Sequence, residues 1–267
     1  MKTIDHLSPS TVQSYRTCGY QVYYNKILDI KNPVTYAMTE YGSAMHEAIE
    51  KLTKENLSRD AFIKEFADRW TSKIGEVNTW KTDTPEHLLK EGCIACGDFF
   101  DNIYPKYNVV LVEERFVIEE EGKLPILCFT DAVTKEEELI DYKFGRGLTG
   151  MASANNYICN VAAYAWAYQK RTGKMPKKIT FIKEKWKKRK DKETGKFIFY
   201  HDCFVEETVK VTQKDIDFYK GLFSMVEAAI KAGIFFPAPD ESFLCKSCGY
   251  RQAGICAKPD LTPSEEE

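Results

Sequence analysis

A chain of 267 residues with 43% hydrophobic and 13% aromatic content can bury a sizeable core. Its net charge of -2 exerts no global pull toward nucleic acid, so any such contact must come from local basic patches or bound cations. The apolar runs are too short for the roughly 20 residues of a membrane helix, and the N-terminus lacks a secretory hydrophobic stretch, which leads us to expect a cytoplasmic protein, bacterial or made in a virus-infected host, with no membrane partner. Nine cysteines, odd in number and unevenly spaced, fit reduced thiols or metal ligands better than a disulfide framework.

In chain order, Ser8-Pro9-Ser10 reads as a cap with proline in the first turn. Val12, Tyr15, Cys18, Val22 and Tyr23 then recur at helical spacing, which predicts an opening helix to about Ile27. Further helices are expected near 36–55, 59–75 and 85–104, the second with Phe62, Phe66 and Trp70 at four-residue intervals. The pattern then turns β-rich over 109–118, 124–133 and 137–143, a three-strand meander. Residues 152–168 return to helical period, 177–186 and 197–205 read as a hairpin around Thr194-Gly195, and 212–232 as an amphipathic helix. The fold class is therefore mixed, α/β or α+β. We expect a single domain over 1–260, helical to about 105, with an α/β core over 106–235, a cysteine-rich cap over 236–260 and a disordered tail over 261–267.

The chemistry-bearing residues lie in the meander. Residues two apart on a strand share a face, so Asp141 and Lys143 project together and Tyr142 offers its backbone carbonyl to the same edge. Antiparallel pairing through the Lys135 turn would bring Asp131 alongside. Two carboxylates and a carbonyl make an oxygen-rich site suited to Mg²⁺ or Mn²⁺. Lys143 would orient an attacking water or stabilise the phosphate. An acid and a lysine two apart also occur as ordinary surface neighbours, and the motif alone does not exclude that.

The residues in order resemble the RecB-like branch of the PD-(D/E)xK nucleases, similar to CRISPR-associated adaptation exonucleases and to the nuclease domains of bacterial recombination helicase-nucleases. The stretch 7–24 is similar to the family's opening helix, Gly42 to Ile49 to its Gly-x-x-x-His helix, and Phe129-Thr130-Asp131 and Ile140-Asp141-Tyr142-Lys143 to its second and third motifs. The resemblance implies a restriction-endonuclease-like mixed sheet flanked by helices. It implies His46, Asp131, Asp141 and the Tyr142 carbonyl as metal ligands, and Asp131, Asp141 and Lys143 as catalytic residues. Two departures stand out: the glycine usual before the motif-two acid is replaced by Phe129-Thr130, and the Gln-x-x-x-Tyr helix reads Asn160 to Tyr164, with an amide one methylene shorter.

Cys245-x-x-Cys248 and Cys256, with Cys18 as a distant fourth, can surround a zinc ion or an iron-sulfur cluster. The resemblance selects a structural 4Fe-4S cluster over Zn²⁺. Cys93, Cys96, Cys128, Cys159 and Cys203 read as small buried hydrophobes. For nucleic-acid contact the candidates are Asn160, Tyr164 and the basic stretch 183–192 with Trp186, Lys187, Lys188 and Arg189; a solvated hairpin tip would look the same. Arg16 and Arg146 are weaker candidates, and Tyr157, Tyr164 and Tyr168 share one helical face.

Together these readings predict a metal-dependent DNA exonuclease acting on single-stranded or free ends, in recombination, repair, replication or CRISPR-type processing. The alternative is a non-catalytic nucleic-acid-binding or assembly protein on the same fold. A Gly-x-x-x-x-Gly-Lys phosphate loop is absent, so a helicase would have to be a separate partner.

Overall fold

The computed structural model describes residues 3–146, 151–190, 195, 197–238, 245 and 247–257, with 151–158 described in backbone only. The expected tail over 261–267, together with Gly147, Thr194 and Pro239 of the expected turns, lies outside these residues. In chain order the elements are α1 (Pro9–Thr17), α2 (Gly19–Val22), a π-helical turn (Tyr23–Ile27), α3 (Ala37–Glu55), α4 (Arg59–Lys73) and α5 (Pro85–Asn102). There follow β1 (Val109–Ile118), β2 (Ile126–Thr134), β3 (Glu138–Lys143), α6 (Met151–Thr172), β4 (Lys178–Lys190), β5 (Phe197–Val209), α7 (Gln213–Lys231) and α8 (Gly249–Gln252). Among the described residues no helix is long and apolar enough to cross a membrane.

The five strands lie in chain order in one sheet. β2 and β3 pair antiparallel, as do β4 and β5, whereas β3 and β4 are parallel. A parallel pair needs a long crossover, and the connection carrying α6 is that crossover. This is the restriction-endonuclease-like mixed sheet flanked by helices that the sequence led us to expect.

The chain divides into two compact units, one of Met1–Val34, Glu119–Leu127 and Asp217–Glu267, the other of Thr35–Ile118 and Cys128–Ile216. In the second unit the four-residue spacing of α4 buries Phe62, Phe66 and Trp70 completely, against Tyr41 of α3, Leu88 and Phe99 of α5 and the inner face of β3 at Ile140 and Tyr142. Local chemistry sets the helix ends. Thr84 accepts a hydrogen bond from His87 N (3.2 Å) with Pro85 in the first turn of α5, and Asn56 closes α3 in the left-handed region at φ 52°.

The first unit corrects one expectation. The opening helix is not continuous to Ile27 but breaks at Cys18, whose backbone is extended (φ -162°, ψ 102°). The cause is a close approach of distant chain. A Cβ at position 19 would stand 2.7 Å from Phe236 N, so only glycine fits there, and Tyr20 N donates to Phe236 O at 3.2 Å. Cys18 Sγ accepts a hydrogen bond from Ala238 N at 3.3 Å.

Candidate active site

The β2–β3 register pairs Ala132 with Ile140 and Val133 with Leu139, and continuing it by one residue sets Asp131 opposite Asp141. Here a side chain replaces the ladder: Asp131 Oδ2 accepts the backbone hydrogen bond from Tyr142 N at 2.5 Å. Lys143 Nζ donates to Asp141 Oδ1. Asp141 Oδ2 is buried and has no hydrogen-bond partner, although the side chain is only 2% exposed. Burial pushes the Asp141 carboxyl up to about 6; the Lys143 charge opposes this and the Asp131 charge adds to it. Asp131 is raised for the same first reason, against the pull of Lys143 and the Tyr142 N–H. Tyr142 turns its ring away, edge-on to Phe99 at 5.5 Å.

His46 stands on α3 with Nδ1 3.6 Å from Asp131 Oδ1. Phe144 meets its ring edge-on at 5.0 Å, which restricts the imidazole. Burial first, then the Lys143 charge, lowers His46 to about 4, so at neutral pH it is an uncharged imidazole with one ring nitrogen offering a lone pair.

Glu113 was not among the sequence candidates. It lies in β1 with φ 50°, a conformation a strand residue rarely adopts, and burial followed by the Asp131 charge raises its carboxyl to about 7. Ligand atoms of His46, Glu113 and Asp131 all lie within 4.8 Å of one another, the one such group of His, Cys, Asp or Glu among the described residues. The available signal was the charged triplet Glu113-Glu114-Arg115 interrupting an otherwise apolar β run. A neutral imidazole, two carboxylates whose pKa values burial raises and an orphaned buried oxygen form a donor set that a hard divalent cation fits.

The structure corrects two of the nucleic-acid candidates. Trp186 is half-buried, packed edge-on against Tyr41 at 5.7 Å and facing the Arg146 guanidinium at 5.5 Å, because strand alternation sets it on the same inward face of β4 as Ile182 and Glu184. Tyr164 is buried rather than presented, and its hydroxyl is held well above its ordinary pKa by burial and then by Asp141 and Asp131. Asn160 is half-buried, and the side chain of Tyr157 lies outside the described residues. Lys187, Lys188 and Arg189 are exposed. Lys187 reaches Asp202 (2.6 Å), and the other two lie over the rings of Phe197 (5.2 Å) and Tyr200 (5.5 Å). Arg146 pairs with Asp83, and Arg16 bonds Gln13 at 3.2 Å.

None of the nine cysteines forms a disulfide. Cys18 is buried, while Cys245, Cys248 and Cys256 are half-buried. The C-terminal segment is tied to the first helices by Tyr250 Oη donating to Ile30 O (2.9 Å) and Ala257 N donating to Tyr24 Oη (2.9 Å). Gln21 Nε2 points at Cys248 Sγ from 4.0 Å. Cys96, Cys128 and Cys159 are buried as small apolar groups; Cys93 and Cys203 are only partly so.

No curated protein sequence matches the chain. Among solved structures, a "Putative exonuclease" from Eubacterium rectale is similar in fold, with a TM-score of 0.57 at 12% identity over 97% of this chain and 91% of that one. The structure of SSO0001 aligns over 85% of this chain and 86% of its own at 15% identity, with a TM-score of 0.33. The sequence model of the PD-(D/E)XK nuclease superfamily matches residues 6–256. A match of that span covers both units, and the chain belongs to the PD-(D/E)XK nuclease superfamily.

Proposed function

We propose that the protein is a RecB-like DNA nuclease that depends on Mg²⁺ or Mn²⁺ and acts as an exonuclease on single-stranded or frayed ends. The observation that carries this reading is the grouping of His46, Glu113 and Asp131 beside a buried, unpartnered Asp141 oxygen and the Lys143 ammonium. His46, Asp131, Asp141 and the Tyr142 carbonyl would hold the cation, with Glu113 added to the set. When bound, such an ion makes water a stronger nucleophile and offsets charge developing on phosphorus.

The chain's own groups supply the rest. Lys143 pairs with Asp141, and its ammonium would act on a phosphate oxygen or an attacking water at the same acids. His46 stays unprotonated at neutral pH and does not repel a cation. Tyr164 is buried close enough to Asp141 and Asp131 for their charges to help raise its pKa. The exposed cations Lys187, Lys188 and Arg189 would follow the phosphate backbone, adding affinity that falls with salt.

The thiols of Cys18, Cys245, Cys248 and Cys256 would hold a structural 4Fe-4S cluster that clasps the two ends of the first unit. Supporting it are the docking of the 248–257 segment on the first helices and the Ala238 N–H directed at Cys18 Sγ. Anaerobically purified protein should be brown with about four irons per chain; colourless protein with zinc would replace the cluster by a zinc site.

The decisive assay digests end-labelled linear, circular and single-stranded DNA with Mn²⁺, using wild type and Lys143→Ala. Loss of linear and single-stranded DNA by the wild type alone is expected. Cutting of closed circles would make the enzyme an endonuclease, and inertness of both proteins would return it to the binding and assembly reading.

A further inference from the structure

A cleft of about 470 Å³ opens beside the turn that follows Lys143. Its walls carry three aromatic rings, Tyr36, Trp80 and Phe199, with the cations Lys81 and Arg146 between them. Each ring is braced. Trp80 rests edge-on against Trp70 at 6.0 Å, Lys81 Nζ sits 4.6 Å over the Tyr36 ring, and the Arg146 guanidinium lies 4.5 Å over Phe199. Lys81 is held at φ 54°, a left-handed conformation that lysine seldom takes, so the turn presenting it with Trp80 is over-determined by its surroundings.

The position of the cleft ties it to the acids. Arg146 follows Lys143 by three residues and donates to Met38 Sδ at 3.5 Å, and Met38 precedes His46 by eight residues on α3, about 12 Å along the axis. Two cations against the single acid Asp83 leave the lining net positive, which suits a phosphodiester. The apolar aromatic walls suit the face of a base, and a base is available to them only where the strand is unpaired.

We propose that this cleft is a subsite for an unpaired nucleotide of the bound strand, the base stacking on Trp80 and Phe199 and its phosphate lying toward Lys81. The choice of DNA as ligand rests on the nuclease reading; the cleft itself does not need cleavage to be observed.

The test measures fluorescence anisotropy of a labelled oligothymidylate and of a blunt duplex of equal length, both in EDTA so that no hydrolysis occurs. Trp80→Leu and Phe199→Leu, which keep apolar bulk, should each bind the single strand about tenfold more weakly than wild type. Trp80→Phe should restore most of the loss, Lys81→Glu should weaken binding several-fold, and duplex affinity should not move. Lys81 is exposed, so the Lys81→Glu arm stands even where a core-facing substitution lowers Tm. Unchanged single-strand affinity in the folded variants, or no single-strand binding by the wild type, overturns the subsite. Binding that responds to these substitutions in a protein that never cleaves DNA would keep the subsite and discard the nuclease reading.

Discussion

Two buried clusters of acids and histidine occupy the same unit and behave in opposite ways. Around Glu184 every group has its counterpart. Glu184 Oε1 accepts from Tyr41 Oη (2.9 Å) and His201 Nδ1 (3.1 Å), and Oε2 accepts from Gly145 N (3.1 Å). His201 Nε2 reaches Asp98 Oδ2 at 3.0 Å. Burial works against the His201 cation, yet hydrogen bonds and charge from Glu184 and Asp98 hold its pKa above the ordinary value. Around Asp141 the same residue types are left incomplete: an oxygen without a donor, carboxyls raised by burial, and a histidine lowered to about 4. Protein groups neutralise the first cluster. The second keeps a deficit of positive charge, and a cation from solution is what would fill it.

The comparison can be broken at several points. The largest effect is expected at the open cluster, where Lys143→Ala or Asp141→Asn should slow DNA cleavage by at least about 10²–10³-fold. Retained cleavage in an end-label assay would remove the cluster from catalysis. Next, His201→Ala should leave buried Glu184 and half-buried Asp98 without their imidazole partner and cost on the order of 3–5 kcal/mol, read by urea unfolding. A neutral result there would show that the closed cluster does not need its charge balance.

A third effect has the opposite sign. The Asp141 carboxyl is raised from 3.8 to about 6 in the fold, so its contribution to stability is present below pH 3.8 and lost as pH rises through about 6. His46, lowered from 6.5 to about 4, contributes above pH 6.5 and loses that contribution as pH falls through about 4. Metal-free Asp141→Asn should therefore be more stable than wild type at pH 7, by on the order of 1–3 kcal/mol, and the advantage should vanish near pH 4. Thermal unfolding in EDTA across that range checks it, and Mn²⁺ should raise the wild type more than the variant. The smallest effect is expected for Glu113→Gln, about a tenfold higher Mn²⁺ requirement in a metal titration of cleavage, by analogy with groups that tune rather than define a metal site.

Strand and helix positions were legible because apolar spacing records which face is buried. The four-residue beat of Phe62, Phe66 and Trp70 marked the buried face of α4, and the strand expected over 109–118 is β1 to the residue. The facing of Asp131, Asp141 and Lys143 followed from strand alternation and one antiparallel turn, both short-range properties. Glu113 was not legible, because its left-handed backbone departs from the alternation that such reading assumes. Trp186 reads with the basic residues around it, whereas it shares the inward face of β4 with Ile182 and Glu184, four and two residues before it.

The sequence by itself determined the order of elements, the amphipathic faces and the acid-acid-lysine pattern of the meander, since each depends on neighbours within a few residues. Only the tertiary structure decided which charges are satisfied. Whether Asp141 or Glu184 keeps an unfilled oxygen depends on distant donors, His201, Gly145 and Tyr41 standing 17, 39 and 143 residues from Glu184, and on the burial that removes water as a substitute.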